Sequence, residues 1–237
     1  MMLLNADVGE GYTLDADIIP LMDMVNIACG GHCGDDTSMT RTVALAKVAG
    51  ARIGAHPSYP DPQHFGRQSM SLAPAALTRT IEQQILALLR VCEAQQVPMF
   101  HVKPHGALYN TAARDQQTGQ CLIDAIKAVD PKLTLVALAG SPLLTQAKQQ
   151  GLNTLAEVFA DRAYLDDGSL MPRSDRGAVL TEEAGMLEQV KKLLGGQVTS
   201  HSGKAIPLQA HTLCLHGDNL KALDFARQIR ALLPRPV

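Results

Sequence analysis

The sequence predicts an α/β barrel of about seven parallel strands, with residues 1–237 forming one domain. Three observations lead there. Short apolar runs alternate with amphipathic helical runs along the whole chain, the order of parallel strands joined by right-handed crossovers. Nearly every apolar run ends in a cluster of Asp, His, Glu, Lys or Arg. A barrel brings such ends to one mouth, whereas an open sheet spreads them along an edge. The length of 237 residues suits one barrel, and no linker or composition shift divides it.

The first strand, Leu3 to Ala6, ends at Asp7-Val8-Gly9-Glu10-Gly11, where glycines permit a tight turn that presents two carboxylates. The second, Met24 to Ala28, runs into a Gly-rich loop with His32, Asp35 and Asp36. Asp36 or Thr37 is placed to cap a helix from Ser38 to Ala49, which Gly50 ends. The third, Ala51 to Ala55, ends at His56-Pro57. A loop through Ser58 to Met70 then carries Asp61, His64 and Arg67, and loops of this length usually have a task. A long helix from Pro74 to Gln96 repeats Leu77, Ile81, Ile85, Leu88 and Cys92 at helical spacing.

The fourth strand, Val97 to Val102, stops at Pro104, which has no N–H to donate. Lys103 therefore sits at a strand end and His105 on the loop beyond. A helix covers Gln116 to Val129, and a strand covers Leu133 to Leu138. Ser141-Pro142 starts another helix and Gly151 ends it. The sixth strand, Thr154 to Phe159, carries Glu157 and leads into Asp161-Arg162 and a polar loop to Val179. Acids near Thr181 open a helix that Gly195-Gly196 ends. The seventh strand, Thr212 to Leu215, ends at His216-Gly217-Asp218, before a helix from Asn219 to Leu233.

Charge and composition exclude several classes. A net charge of −2 without a basic stripe argues against nucleic acid as partner. No apolar run is long enough to span a bilayer, and Met1 to Leu4 is too short for a signal-peptide core. The five cysteines form no framework, and their odd number favours reduced thiols in the cytoplasm. Cys29, His32 and Cys33 lack the spacing and the second pair of a zinc finger.

Each polar cluster also has a purely structural reading. Asp7 and Glu10 can cap a loop, and His56 and His101 can be hydrogen-bonded core residues. Glu157, Asp161 and Arg162 can form an ion network, and His216 with Asp218 can cap the last helix. Lys103 is harder to explain so, because a strand-end lysine is rarely buried without a charged partner. Its replacement by methionine is expected to keep the fold and slow turnover. Taken together, convergence of all these clusters at one mouth explains them better than separate accidents.

The motifs Asn5-Ala6-Asp7-Val8-Gly9-Glu10, Asn26-Ile27-Ala28-Cys29-Gly30 with His32 and Gly34-Asp35, and Ile53-Gly54-Ala55-His56-Pro57 resemble the LamB/YcsF family. So do Val102-Lys103-Pro104-His105-Gly106-Ala107-Leu108-Tyr109-Asn110, Glu157 to Tyr164, and His216-Gly217-Asp218, in order along the whole chain. The resemblance implies an irregular barrel similar to that of polysaccharide deacetylases. It implies one component of a prokaryotic 5-oxoprolinase, which with subunits B and C opens the lactam of 5-oxo-L-proline to L-glutamate. ATP would be the co-substrate, with Mg, and no resident metal is expected.

Such a reaction needs cations near phosphate, a base near water and an acid near the leaving nitrogen. Lys103, His105 and Arg162 can supply the cations, and Asp7, Glu10 or His56 the base. His216 with Asp218 can form an oriented acid–base pair. His32, Asp35, Arg67, Tyr109, Glu157 and Arg162 are the candidates for substrate and phosphate contacts. No Walker-type loop is present. Rival readings are a metal-dependent deacetylase with Asp7, His32 and His56 as ligands, a Schiff-base lyase using Lys103, and a non-catalytic binding subunit. Shared chemistry with other subunits calls for an exposed apolar patch near the mouth, expected in the Ser58 to Met70 loop.

Overall fold

A computed structural model of the chain describes residues 2–215 and 220–233. In chain order the elements are β1 (Leu3–Val8), α1 (Asp15–Ile18), β2 (Met24–Ala28), α2 (Asp36–Ala49), β3 (Arg52–His56) and α3 (Pro74–Ala94). Then come β4 (Met99–Val102), α4 (Gly106–Ala112), α5 (Gln116–Val129), β5 (Thr134–Leu138), α6 (Pro142–Gln149) and β6 (Thr154–Phe159). The chain closes with α7 (Glu183–Leu194), β7 (Gln197–Thr199), β8 (Ala205–Pro207), β9 (Thr212–Leu215) and α8 (Leu220–Leu232).

Seven strands close a barrel in the order β1-β2-β3-β4-β5-β6-β9, and every barrel pairing is parallel. Alternation sorts the side chains. In β1, Leu4, Ala6 and Val8 are buried in the apolar core, whereas Asn5 and Asp7 reach polar groups on other strands. Register sets Asp7 beside Asn26, Asn26 beside Gly54, and Gly54 beside His101, so polar groups share one level of the barrel interior. Outside, α3 packs against α5, and its stripe of Leu77, Ile81, Ile85, Leu88 and Cys92 is buried.

Gly54 is required by this interior. A Cβ there would lie 2.2 Å from Nε2 of the buried His101 ring. Gly54→Ala is therefore expected to destabilise the fold by about 2 kcal/mol, the scale of overpacking a filled core. Urea unfolding of the variant checks this.

Three features differ from the sequence expectation. The cap of α2 is Asp35, not Asp36 or Thr37. Its carboxylate accepts from the Ser38 N–H at 2.7 Å and the Ser38 hydroxyl accepts from the Asp35 N–H at 2.8 Å, a reciprocal capping box. The antiparallel β7–β8 hairpin was not expected, because three-residue strands show no readable alternation. Nor was α4, which buries Ala107, Leu108, Tyr109 and Ala112 and leaves almost no polar face to give an amphipathic period.

Candidate active site

The carboxyl ends of the strands build a polar floor. Asp7 Oδ1 accepts from Asn26 Nδ2 at 2.7 Å and from Lys103 Nζ at 2.9 Å. Lys103 Nζ also lies 2.9 Å from Glu157 Oε1 and donates to Cys214 Sγ at 3.0 Å. The lysine is 2% exposed, so two carboxylates from β1 and β6 hold a cation inside the barrel. Burial opposes its charge, but Asp7, Cys214 and Glu157 outweigh burial and keep Lys103 well above the ordinary lysine range. Below, Asn26 Nδ2 donates to Asn5 Oδ1 at 2.8 Å, and Asn5 Nδ2 donates to Thr212 Oγ1 at 2.7 Å.

Beside this pair stands a cluster of three imidazoles. His56 Nδ1 lies 2.7 Å from the Lys103 carbonyl, and His105 Nε2 lies 3.0 Å from the Phe65 carbonyl. A carbonyl only accepts, so these are the protonated nitrogens of the two rings. Their other nitrogens, His56 Nε2 and His105 Nδ1, face each other at 3.0 Å. Asp7 Oδ2 is 3.3 Å from His56 Nε2, and Glu10 Oε1 is 3.3 Å from His105 Nδ1. His32 stacks on His105 with ring centroids 3.7 Å apart and puts Nε2 2.9 Å from Glu10 Oε1.

The loop after β3 straps this cluster in place. Phe65 has φ 55° and Gly66 φ 63°, left-handed conformations that turn the Phe65 carbonyl toward His105. Ala107 N–H donates to the Gly66 carbonyl at 2.9 Å, and a Cβ on Gly106 would lie 2.5 Å from that oxygen. No large side chain of this loop is an exposed hydrophobic; those among the described residues are Tyr12, Val48, Leu165, Val179, Leu194 and Leu232. The expected apolar docking patch is therefore not shown in Ser58 to Met70, whose Phe65–Gly66 corner packs on the histidines instead.

At the floor opens a cavity of about 770 Å³, lined by Asp7, Glu10, His56, Lys103, His105 and Tyr109 and also by Arg67, Arg114, Arg162 and Arg173. Arg162 is buried and donates to the carbonyls of Met171 at 2.7 Å and Ala178 at 3.4 Å, so it fastens the cavity's loop wall rather than pairing with Glu157. Burial, with Tyr109 beside Glu157, pushes the Tyr109 phenol well above its usual range, so it stays protonated. His32 and Glu157 sit behind the cavity surface, and Asp35 stands away from it, exposed at the start of α2. Its capping bonds leave Asp35 no part in the cavity. His216 and Asp218 lie outside the described residues.

Sequence reading missed Asn5, Asn26, Phe65, Cys214, Arg114 and Arg173. The asparagines carried a signal: an amide inside an apolar strand needs a hydrogen-bond partner in the barrel. Phe65 contributes a backbone carbonyl, which side-chain chemistry does not announce.

Burial pushes His101 down to about 3, with Lys103, His56 and Arg52 adding and Asp7 opposing. The unfolded ring takes up a proton near 6.5 while the folded one resists until about 3. Its contribution is thus complete above 6.5 and is lost as pH falls toward 3. The urea midpoint is expected to fall across that window, and His101→Gln to flatten the fall.

Comparison with known proteins covers nearly the whole chain. The model of the LamB/YcsF family matches residues 2–235. A Clostridium beijerinckii protein named as the A subunit of 5-oxoprolinase is 43% identical over 236 residues, covering 97% of this chain and 92% of that protein. The crystal structure of a lactam utilization protein from Thermus thermophilus superposes with a TM-score of 0.90 at 39% identity, covering 98% of this chain and 95% of that one. With its barrel, its strand-end motifs and this match from end to end, the chain belongs to the LamB/YcsF family.

Proposed function

We propose that this chain is the A subunit of an ATP-dependent 5-oxoprolinase and that the barrel mouth hydrolyses the lactam of 5-oxo-L-proline to L-glutamate. One observation carries the reading: buried imidazoles, carboxylates and exposed arginines line one cavity. They do so in a chain alike over 97% of its length to a protein named as the A subunit of 5-oxoprolinase.

A lactam carbonyl is resonance-stabilised and a poor electrophile. Hydrolysis adds water to the ring carbon, breaks the carbon–nitrogen bond and delivers a proton to nitrogen. ATP with Mg would raise the carbon's reactivity by passing its γ-phosphoryl group to the ring oxygen with release of ADP, in an assembly with subunits B and C in the cytoplasm. Water addition and ring opening then leave an acyl phosphate, which a second water hydrolyses to glutamate and phosphate. His56 Nε2 takes the proton from water, because its Nδ1 is committed to the Lys103 carbonyl. Asp7 at 3.3 Å and Glu10 at 3.9 Å stabilise the imidazolium that forms. Arg67, Arg114 and Arg173 face the cavity where the substrate's carboxylate or phosphate would sit. Lys103 is a positioning residue, since its ammonium is held between Asp7 and Glu157.

The reading is tested by glutamate formation from 5-oxo-L-proline and ATP with subunits B and C added. Glutamate is expected only when this chain is present. An equal yield without it, or none with all three subunits, would sink the reading.

A further inference from the structure

We infer that Glu10, His56 and His105, joined by His32, form a binding site for one divalent transition-metal ion of the zinc class. These four residues place one donor atom each within 4.8 Å of all the others. Glu10 Oε1 is 2.9 Å from His32 Nε2, 3.3 Å from His105 Nδ1 and 3.9 Å from His56 Nε2. Donors about 2.0–2.1 Å from a tetrahedral ion are about 3.3 Å from one another, so Glu10, His56 and His105, at 3.0, 3.3 and 3.9 Å, stand close to a coordination shell.

The hydrogen bonds supply a second, independent reason. Two imidazole nitrogens that both carry lone pairs repel at 3.0 Å unless a cation or proton lies against them. His56 and His105 are fixed in that state by N–H bonds to the Lys103 and Phe65 carbonyls. Backbone carbonyls behind the ring are how metal-binding histidines are usually oriented. The two rings are set at 86°, which directs them at the space between from different sides. His32 lies parallel to His105 at 4°, so it reaches the ion by turning. Its Nδ1 has no hydrogen-bond partner among the described residues to resist that turn.

Imidazole donors with one carboxylate select zinc, cobalt, nickel or iron over magnesium. The site is therefore distinct from any Mg that accompanies ATP. An ion held there would take the His56 Nε2 lone pair, so with the ion bound His56 is a ligand and not the base, and the ion would supply Lewis acidity to a carbonyl or phosphoryl oxygen in the cavity. The inference shares the cavity of the ring-opening reading but stands on donor geometry alone, so the two are measured separately.

The test is Co²⁺ titration of the chelator-stripped full chain, followed by visible absorption and calorimetry, with Zn²⁺ and Mg²⁺ as competitors. One equivalent of Co²⁺ is expected, displaced by Zn²⁺ and not by Mg²⁺. His56→Gln and Glu10→Gln are each expected to weaken Co²⁺ binding roughly a hundredfold, the upper range for disturbing a metal shell. His64→Gln, which alters an exposed His–Asp pair, is expected to leave it unchanged. Circular dichroism confirms folding of each variant, and Glu10→Asp replaces Glu10→Gln if that one unfolds. A folded wild-type chain that takes up no Co²⁺ or Zn²⁺, or variants that bind as the wild type does, would overturn the site. Metal-free glutamate formation in the assembled enzyme would leave the lactam reading standing; metal uptake without turnover would do the reverse.

Discussion

Lys103→Met is expected to destabilise the chain by about 3–5 kcal/mol, the usual effect of breaking a buried ion pair from one side. The ammonium sits 2.9 Å from both Asp7 and Glu157, and the side chains of all three are at most 8% exposed. Methionine keeps much of the length but leaves two carboxylates facing each other without a cation. Asn26 still donates to Asp7, and Glu157 retains the neighbouring Tyr109 phenol, but neither supplies a charge. In sequence the same change looks conservative and selective for turnover. The difference arises because sequence shows a strand-end lysine without showing that two strands place carboxylates against it. Urea denaturation of the variant gives the magnitude. Near-wild-type stability would mean that the ion pair does not organise the barrel's mouth.

Asp7→Asn is expected to lower turnover of the assembled enzyme by about 10²–10⁴, the range for losing acid–base assistance. Asp7 serves two partners at once. Oδ1 receives Asn26 and Lys103, while Oδ2 faces His56 Nε2 at 3.3 Å. An asparagine that keeps its oxygen toward Lys103 and Asn26 turns its NH₂ toward His56. That amide would donate to the lone pair His56 needs for a proton. Stability should fall less than for Lys103→Met, since Lys103 keeps Glu157 and the new amide keeps one acceptor. The rate per folded molecule, set beside the melting temperature, separates the two effects. A normal rate would remove Asp7 from the chemistry.

Much of the barrel was legible because its helices and strands are long enough to show a period. The stripe from Leu77 to Cys92 buries as its spacing implies. Strands two, six and seven run over Met24–Ala28, Thr154–Phe159 and Thr212–Leu215, as read. The convergence of Asp7, Glu10, His56, Lys103 and His105 follows from strand ends meeting at one mouth.

What sequence could not supply was direction and partnership. Glu157 lies within the sixth strand and Arg162 just beyond it, yet Arg162 fastens a loop and Glu157 neutralises a lysine across the barrel. Asp35 and Asp36 are chemically equivalent neighbours, and only backbone geometry decides that Asp35 caps the helix. Tautomers of His56 and His105 depend on the carbonyls of Lys103 and Phe65, main-chain atoms that no motif records.

On the proposed function, lactam hydrolysis depends on the imidazole–carboxylate floor of this chain. The most direct test is glutamate formation by its complex with subunits B and C, comparing wild type with His56→Gln. Glutamine can still donate to the Lys103 carbonyl but cannot hold a proton. The variant complex is expected to assemble and fold while glutamate formation falls at least about a hundredfold. Glutamate formed by that complex at the wild-type rate would contradict this dependence.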